Sequence, residues 1–360
     1  MFIKDSILDF SNIINQKNRN LNNNIFYNVI LNLRLKGFSG IFEIVQNLQK
    51  EKLMKLSIIG AGAVGTSCAK WAMVKNIVKE IVLIDIIPDL AKGKALDLAQ
   101  SSPLFGYSGK IYGTEDFSAL SNSDLVIITA GKPRQPGMSR EDLLNINKDI
   151  VKSCSEKIKE YAPDSIVIVV TNPLDAMVYV AYKITGFPKN KVMGMAGTLD
   201  SARYRYFIAE ALGVSPKDVQ ALVMGTHGDL MIPLVRLANV AGIPITELLP
   251  KEKIDEIVKR TKFGGGEIVS YLKTGSAFIT PGLSVIEMAE SILNDEKRVL
   301  TCSVLLEGEY GINGVFLGVP VILGKNGIEK IIEIDLLPEE KEALQKCASA
   351  CKELIGLLNL

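Results

Sequence analysis

A chain of 360 residues is long enough to bury a full core and to hold two domains. Its 41 basic and 40 acidic side chains leave a net charge of +1, which argues against a nucleic-acid footprint or a polybasic membrane surface. No apolar run approaches the ~18 residues of a membrane span, and five scattered cysteines make no disulfide framework, so the expected compartment is the reducing cytoplasm.

Residues 1–53 differ from the rest. They hold ten asparagines, and polar residues interrupt every apolar stretch. Asp5, Asp9 and Glu43 argue against a transit peptide, and no compact apolar segment reads as a secretory signal. The segment is expected to be a disordered or non-native extension, with Met54 the natural start. From Met54 onward, short apolar runs at Leu56–Ile59, Ile81–Ile84, Leu125–Ile128 and Ile166–Val170 are separated by helix-length segments. Near-continuous apolar strands alternating with helices predict an α/β fold: a Rossmann-type doubly wound parallel sheet, here over residues 54–198. The text of 199–360 predicts a mixed α+β substrate-binding and catalytic domain. A helix runs from Leu199 to about Leu212, strands flank His227, and helices cover roughly 251–294. A strand-rich stretch follows from Val299 to Leu323. The last helix places Leu344, Cys347, Cys351, Leu354 and Leu358 on one face. Cys347 and Cys351 read there as small apolar core residues, since zinc wants four ligands and the one histidine is distant in sequence; no metal is expected.

Within the first domain, Gly60, Ala61, Gly62, Ala63, Val64 and Gly65 follow a strand and open a helix. The first glycine permits a tight turn, the second a close approach of backbone to pyrophosphate, and the third close helix–strand packing. A helix N-terminus then offers N–H groups and a positive dipole end to the phosphates. Asp85, twenty residues beyond Gly65 at the next strand end, is placed to bind a ribose diol. Its charge would repel a 2′-phosphate, so the expected cofactor is NAD rather than NADP.

Four further segments bear chemistry. His227 lies in Gly225-Thr-His-Gly-Asp229, a glycine-flanked loop, and imidazole is the group whose ordinary pKa lies nearest neutrality. Asp200 and Arg203 are three apart on one helical face. They can be a surface ion pair, or a carboxylate orienting His227 beside a guanidinium that grips a substrate carboxylate. Arg134 and Arg140 project from a Pro- and Gly-rich loop suited to closing over a site, and Val170-Thr171-Asn172-Pro173 ends an apolar strand, where ligands bind in open parallel sheets.

These motifs, in this order and spacing from Met54 to the C-terminus, resemble the lactate/malate dehydrogenase family, in particular its lactate-dehydrogenase-like malate enzymes. The resemblance implies that His227 exchanges the proton with Asp200 as its partner. Arg203 would bind the substrate's C1 carboxylate, Arg140 polarise the reacting C–O bond, and Asn172 touch substrate and nicotinamide. Asn147, Val170 and Thr171 would help to hold NAD. It also implies a cis Asn172-Pro173 bond and a homodimer or homotetramer, with a small-molecule substrate and no nucleic-acid or membrane partner. Arginine at 134, where the family's lactate enzymes carry a neutral residue, selects malate: pyruvate's methyl would leave that guanidinium desolvated and unpaired. The alternatives are an L-lactate dehydrogenase and a non-catalytic NAD-binding module. The structurally related NAD-dependent glycosidases need a metal-binding histidine beyond His227, and the chain has none. Leu230 and Thr226 depart from the family pattern beside the histidine loop.

Overall fold

All five residues of strand β1 (Lys55–Ile59) are buried, because its alternate side chains enter two different cores. Leu56 and Ile58 join one cluster and Ile59 the other. The same division holds in β2 (Glu80–Ile84), β4 (Leu125–Ile128) and β5 (Ile166–Val169). A period of two with both faces apolar is what a sheet covered by helices on both sides demands. The computed structural model describes residues 54–133 and 140–360; the expectations for residues 1–53 and for Arg134 lie outside the described residues.

Two strands escaped the apolar pattern. β3 (Lys110–Thr114) is a half-exposed edge strand, and β6 (Val192–Met195) is a four-residue strand with a glycine in its middle. The runs at Leu125 and Ile166 are therefore the fourth and fifth strands of the chain. With these included, the parallel order is β3-β2-β1-β4-β5-β6, which reverses between β1 and β4. Ile59 pairs with Ile84 on one side and Ile128 on the other. The crevice beyond the carboxyl ends of these two strands is where such sheets bind ligands.

The helices divide between the faces. Helices α1 (Ala63–Lys75) and α2 (Leu90–Phe105) cover the face of Leu56 and Ile58, while α3 (Arg140–Tyr161) and α4 (Leu174–Thr185) cover the face of Ile59. Helix α5 (Gly197–Leu212) leaves β6 and carries the chain into the mixed half, through the short strands β7 (Val219–Gln220), β8 (Val223–Met224), β9 (Ile232–Pro233), β10 (Asn239–Val240) and β11 (Ile243–Pro244). Helices α6 (Ile245–Leu248), α7 (Lys251–Leu272) and α8 (Ile279–Leu293) follow. The strand-rich stretch becomes β12 (Arg298–Glu307), β13 (Asn313–Gly324) and β14 (Gly327–Ile331), and helix α9 (Pro338–Gly356) ends the fold. These late strands join the first sheet, since β12 pairs antiparallel with β6 at Cys302↔Met195 and Ser303↔Gly194. One nine-stranded sheet therefore runs through both expected domains. Among the described residues no helix is long and apolar enough to cross a membrane. Leu344, Cys347 and Cys351 are buried, and all five cysteines are free.

Candidate active site

At the carboxyl end of β1 the backbone itself forms the first half of the site. Gly60 turns with φ +107°, and a Cβ there would stand 2.7 Å from the amide nitrogen of Ala130. A Cβ on Gly65 would run into the carbonyl oxygen of Gly60, so helix α1 can approach the strand only at glycine. Gly62, at the N-cap of α1, has open space where its Cβ would be. No side chain caps that helix and its first turn holds no acid, which leaves amide N–H groups and an unneutralised dipole facing the gap. A pyrophosphate fits that cradle by charge and by space. Asp85 closes it: Oδ2 accepts the N–H of Ala61 at 2.7 Å and Oδ1 that of Ile87 at 3.0 Å. Fixed in this way, the carboxylate keeps further lone pairs for a ribose diol.

Across the switch point, the ends of β4 and β5 are tied together. Thr171 Oγ1 donates to the Ala130 carbonyl at 2.7 Å. Asn147, only 1% exposed, spends its whole amide on backbone: Oδ1 accepts from Lys132 N at 2.8 Å, and Nδ2 donates to Lys132 O at 3.1 Å and Asn172 O at 2.6 Å. It thereby sets the spacing of the two strand-end loops. Asn172 itself is exposed, Val170 is half-buried, and the Asn172-Pro173 peptide is cis.

The second half of the site is built of side chains. Asp200 lies in the first turn of α5, which is clamped from two sides. Thr198 Oγ1 donates to Thr301 O on β12 at 3.0 Å, and Ser201 Oγ accepts from Val223 N on β8 at 3.0 Å. Two residues on, Gly225 exchanges both backbone hydrogen bonds with Gly318 of β13 at 2.8 Å. That delivers His227 to Asp200: Nδ1 and Oδ2 are 2.8 Å apart, and the carboxylate is 1% exposed. Arg203 Nη1 donates to the other oxygen of Asp200 at 3.1 Å. The two residues are thus a buried pair, not a surface one, and both charged partners of Asp200 are three-quarters or more covered, at 17% and 13% exposure.

His227 and Arg203 line a cleft of about 560 Å³ together with Asp229, Lys262, Gly265 and Ser270. Helix α7 forms its far wall. Gly264 and Gly265 give Arg203 room, since a Cβ on Gly264 would meet its Cδ at 3.2 Å. Arg260 braces this glycine-softened stretch, binding Glu267 through two nitrogens at 3.0 and 2.9 Å and Glu210 of α5 at 2.6 Å, with its guanidinium 4.2 Å over Phe207. Burial disfavours the His227 cation, but the charge and hydrogen bond of Asp200, with help from Asp175, outweigh it and hold the ring's pKa above its ordinary value.

Of the sequence-singled residues, the structure thus joins His227, Asp200 and Arg203 in one cluster. It sets Gly60–Gly65 and Asp85 at one pair of strand ends and Val170, Thr171, Asn172 and Asn147 at the other. Arg140 opens helix α3. Leu230 exposes its side chain, and its carbonyl accepts from the Cys347 thiol at 3.3 Å, which fixes the end of the histidine loop. Sequence reasoning passed over Asp175 and Ser303. The only signal was a carboxylate three residues after Asn172 at the start of an otherwise apolar helix.

A nucleotide cradle at a sheet's switch point, beside a histidine–aspartate–arginine cleft, defines a dinucleotide-dependent oxidoreductase. Residues 54–194 match the model described as lactate/malate dehydrogenase, NAD binding domain, and residues 197–357 that of the lactate/malate dehydrogenase alpha/beta C-terminal domain. The chain belongs to the lactate/malate dehydrogenase family, and NAD is its cofactor. A malate dehydrogenase of Roseiflexus castenholzii is 50% identical over 304 residues, 84% of this chain and 98% of that protein. The crystal structure of Cryptosporidium parvum malate dehydrogenase is similar with a TM-score of 0.83 at 46% identity, covering 85% of this chain and 98% of that one. A lactate dehydrogenase of the same organism, solved with lactic acid and NAD, also gives 0.83, at 41% identity over 86% and 98% of the two chains.

Proposed function

We propose that this chain catalyses the reversible NAD-dependent oxidation of (S)-malate to oxaloacetate, with His227 as acid and base. The observation that carries the reading is the buried His227–Asp200–Arg203 cluster opening onto the cleft. Bound NAD supplies a two-electron hydride acceptor. Asp200 occupies Nδ1 of His227, so Nε2 is the nitrogen that takes the hydroxyl proton as the C2 hydride leaves. In reduction the same nitrogen returns it. Asp200 is already charged and in contact, so it stabilises the imidazolium without reorganising. Arg203 grips the C1 carboxylate, with one of its donors held by Asp200 so that the fork keeps its angle. Asn172, at the mouth of the switch-point crevice, contacts substrate and nicotinamide. From the sequence, Arg140 polarises the C2–O bond and Arg134 pairs with the C4 carboxylate. We place the enzyme in the cytoplasm as a homo-oligomer.

L-lactate oxidation is the second reading, because the lactate and malate enzymes of Cryptosporidium parvum match this fold equally well. Fold does not separate the two substrates; Arg134 does. NADH oxidation with oxaloacetate and with pyruvate, measured side by side, should favour oxaloacetate in kcat/KM by roughly 10⁴-fold. Arg134→Gln should erode most of that ratio. Equal rates with the two oxoacids, or an unchanged ratio in the variant, would overturn the assignment.

A further inference from the structure

One buried carboxylate beside His227 has no step assigned to it in the proposed reaction. Asp175 lies in the first turn of α4 and is 6% exposed. A first-turn acid that merely complements the helix dipole sits in solvent. This one instead takes two partners far away in the chain. Its Oδ1 accepts the hydroxyl of Ser303, on β12, at 2.6 Å. Its Oδ2 accepts the backbone N–H of His227 at 3.3 Å. Ser303 is fully buried and sits where β12 joins the parallel sheet, paired with Gly194. The carboxylate is therefore held by β12 and bonds the backbone of His227, while Asp200 bonds its ring.

We infer that Asp175 is a second positioning carboxylate for the proton-transfer histidine, holding the His227 backbone and adding a negative charge that favours the protonated ring. This rests on the reading of His227 as acid and base. The charge count supports it. Asp200, Asp175 and Arg203 together carry one net negative charge, which an imidazolium at His227 balances within this hydrogen-bonded group. Among the described residues, the other groups around His227 and Asp175 are Asp229 on the same loop, Arg260, Lys262 and Glu267 on α7, and the buried thiols of Cys347 and Cys351 on α9. Arg260 is committed to Glu210 and Glu267. Burial pushes the Asp175 carboxyl up to about 6, against the opposing pull of Ser303 and His227.

The charge is held at a cost to stability. A carboxyl raised from 3.8 to about 6 contributes stability below pH 3.8 and loses it as the pH rises through 6.

His227 is the sole histidine of the chain, so an NMR titration of histidine-labelled full-length protein reads its ring directly, without substrate. Asp175→Asn keeps the shape and removes the charge; its Oδ1 can still accept the His227 N–H, while Nδ2 must donate to the Ser303 hydroxyl, which reverses that one bond. Its imidazole midpoint should fall by about one pH unit relative to wild type, with no loss of Tm at pH 8. Ser303→Ala, which removes the partner of Oδ1, should move the midpoint the same way by less. The pH limb of kcat/KM for oxaloacetate should follow the midpoint in each protein. Midpoints unchanged in both variants, with only Tm lowered, would make Asp175 a structural residue and overturn the inference. A wild-type limb that ignores the imidazole midpoint would instead overturn the acid–base reading, and the inference with it.

Discussion

The two halves of the site are made of different material. The nucleotide half is backbone: glycines that admit a helix, amides that face a gap, and one carboxylate fixed by the amides of Ala61 and Ile87. The proton-transfer half is a set of buried charges brought from three distant segments, Asp175, Asp200 with Arg203, and His227. Backbone dipoles stand ready without desolvation cost, whereas buried charges persist only as a balanced group. Damage to the first half should therefore weaken cofactor binding gradually, and damage to the second should abolish turnover while leaving cofactor binding intact.

That contrast can be broken by substitution. The largest effect is expected from His227→Asn, which should cut kcat by roughly 10³–10⁴-fold. NADH affinity, read by quenching of nicotinamide fluorescence, should stay at the wild-type value. Asp200→Asn should cost less, about 100-fold, because the ring remains but loses the charge that favours its cation. Comparable losses in NADH affinity would show the halves to be one unit. The smallest effect is expected from Asp85→Ser. Removing the carboxylate should improve kcat/KM for NADPH relative to NADH by about tenfold, with kcat for NADH nearly unchanged. A large fall in kcat would place Asp85 in the chemistry rather than in cofactor choice.

The same contrast explains what the sequence disclosed. The nucleotide half was legible because its physics is local. Gly60, Gly62 and Gly65 act within one turn, and Asp85 closes the next strand. Apolar runs revealed β1, β2, β4 and β5 because both faces of a central strand are buried. β3 was missed because an edge strand half in solvent needs no such run, and β6 because it is short and glycine-interrupted. In the proton-transfer half, spacing alone left Asp200 and Arg203 open to a surface pairing; their burial follows from Thr198 and Ser201 clamping α5 to β12 and β8. Asp175 gave no usable signal, since both partners are more than 50 residues away. Nor does a pattern of strands and helices say that β12 to β14 extend the first sheet. That depends on the antiparallel contact between Cys302 and Met195.

The central claim is that one ring, held above its ordinary pKa by buried carboxylates, serves both directions. Oxaloacetate reduction requires the imidazolium and malate oxidation the neutral ring. Measured from pH 6 to 9, kcat/KM for reduction should stay level and then fall above a break that lies higher than 6.5, the ordinary histidine value. Malate oxidation should rise up to the same break and level off beyond it. Breaks at two different pH values, or none in that range, would contradict the account.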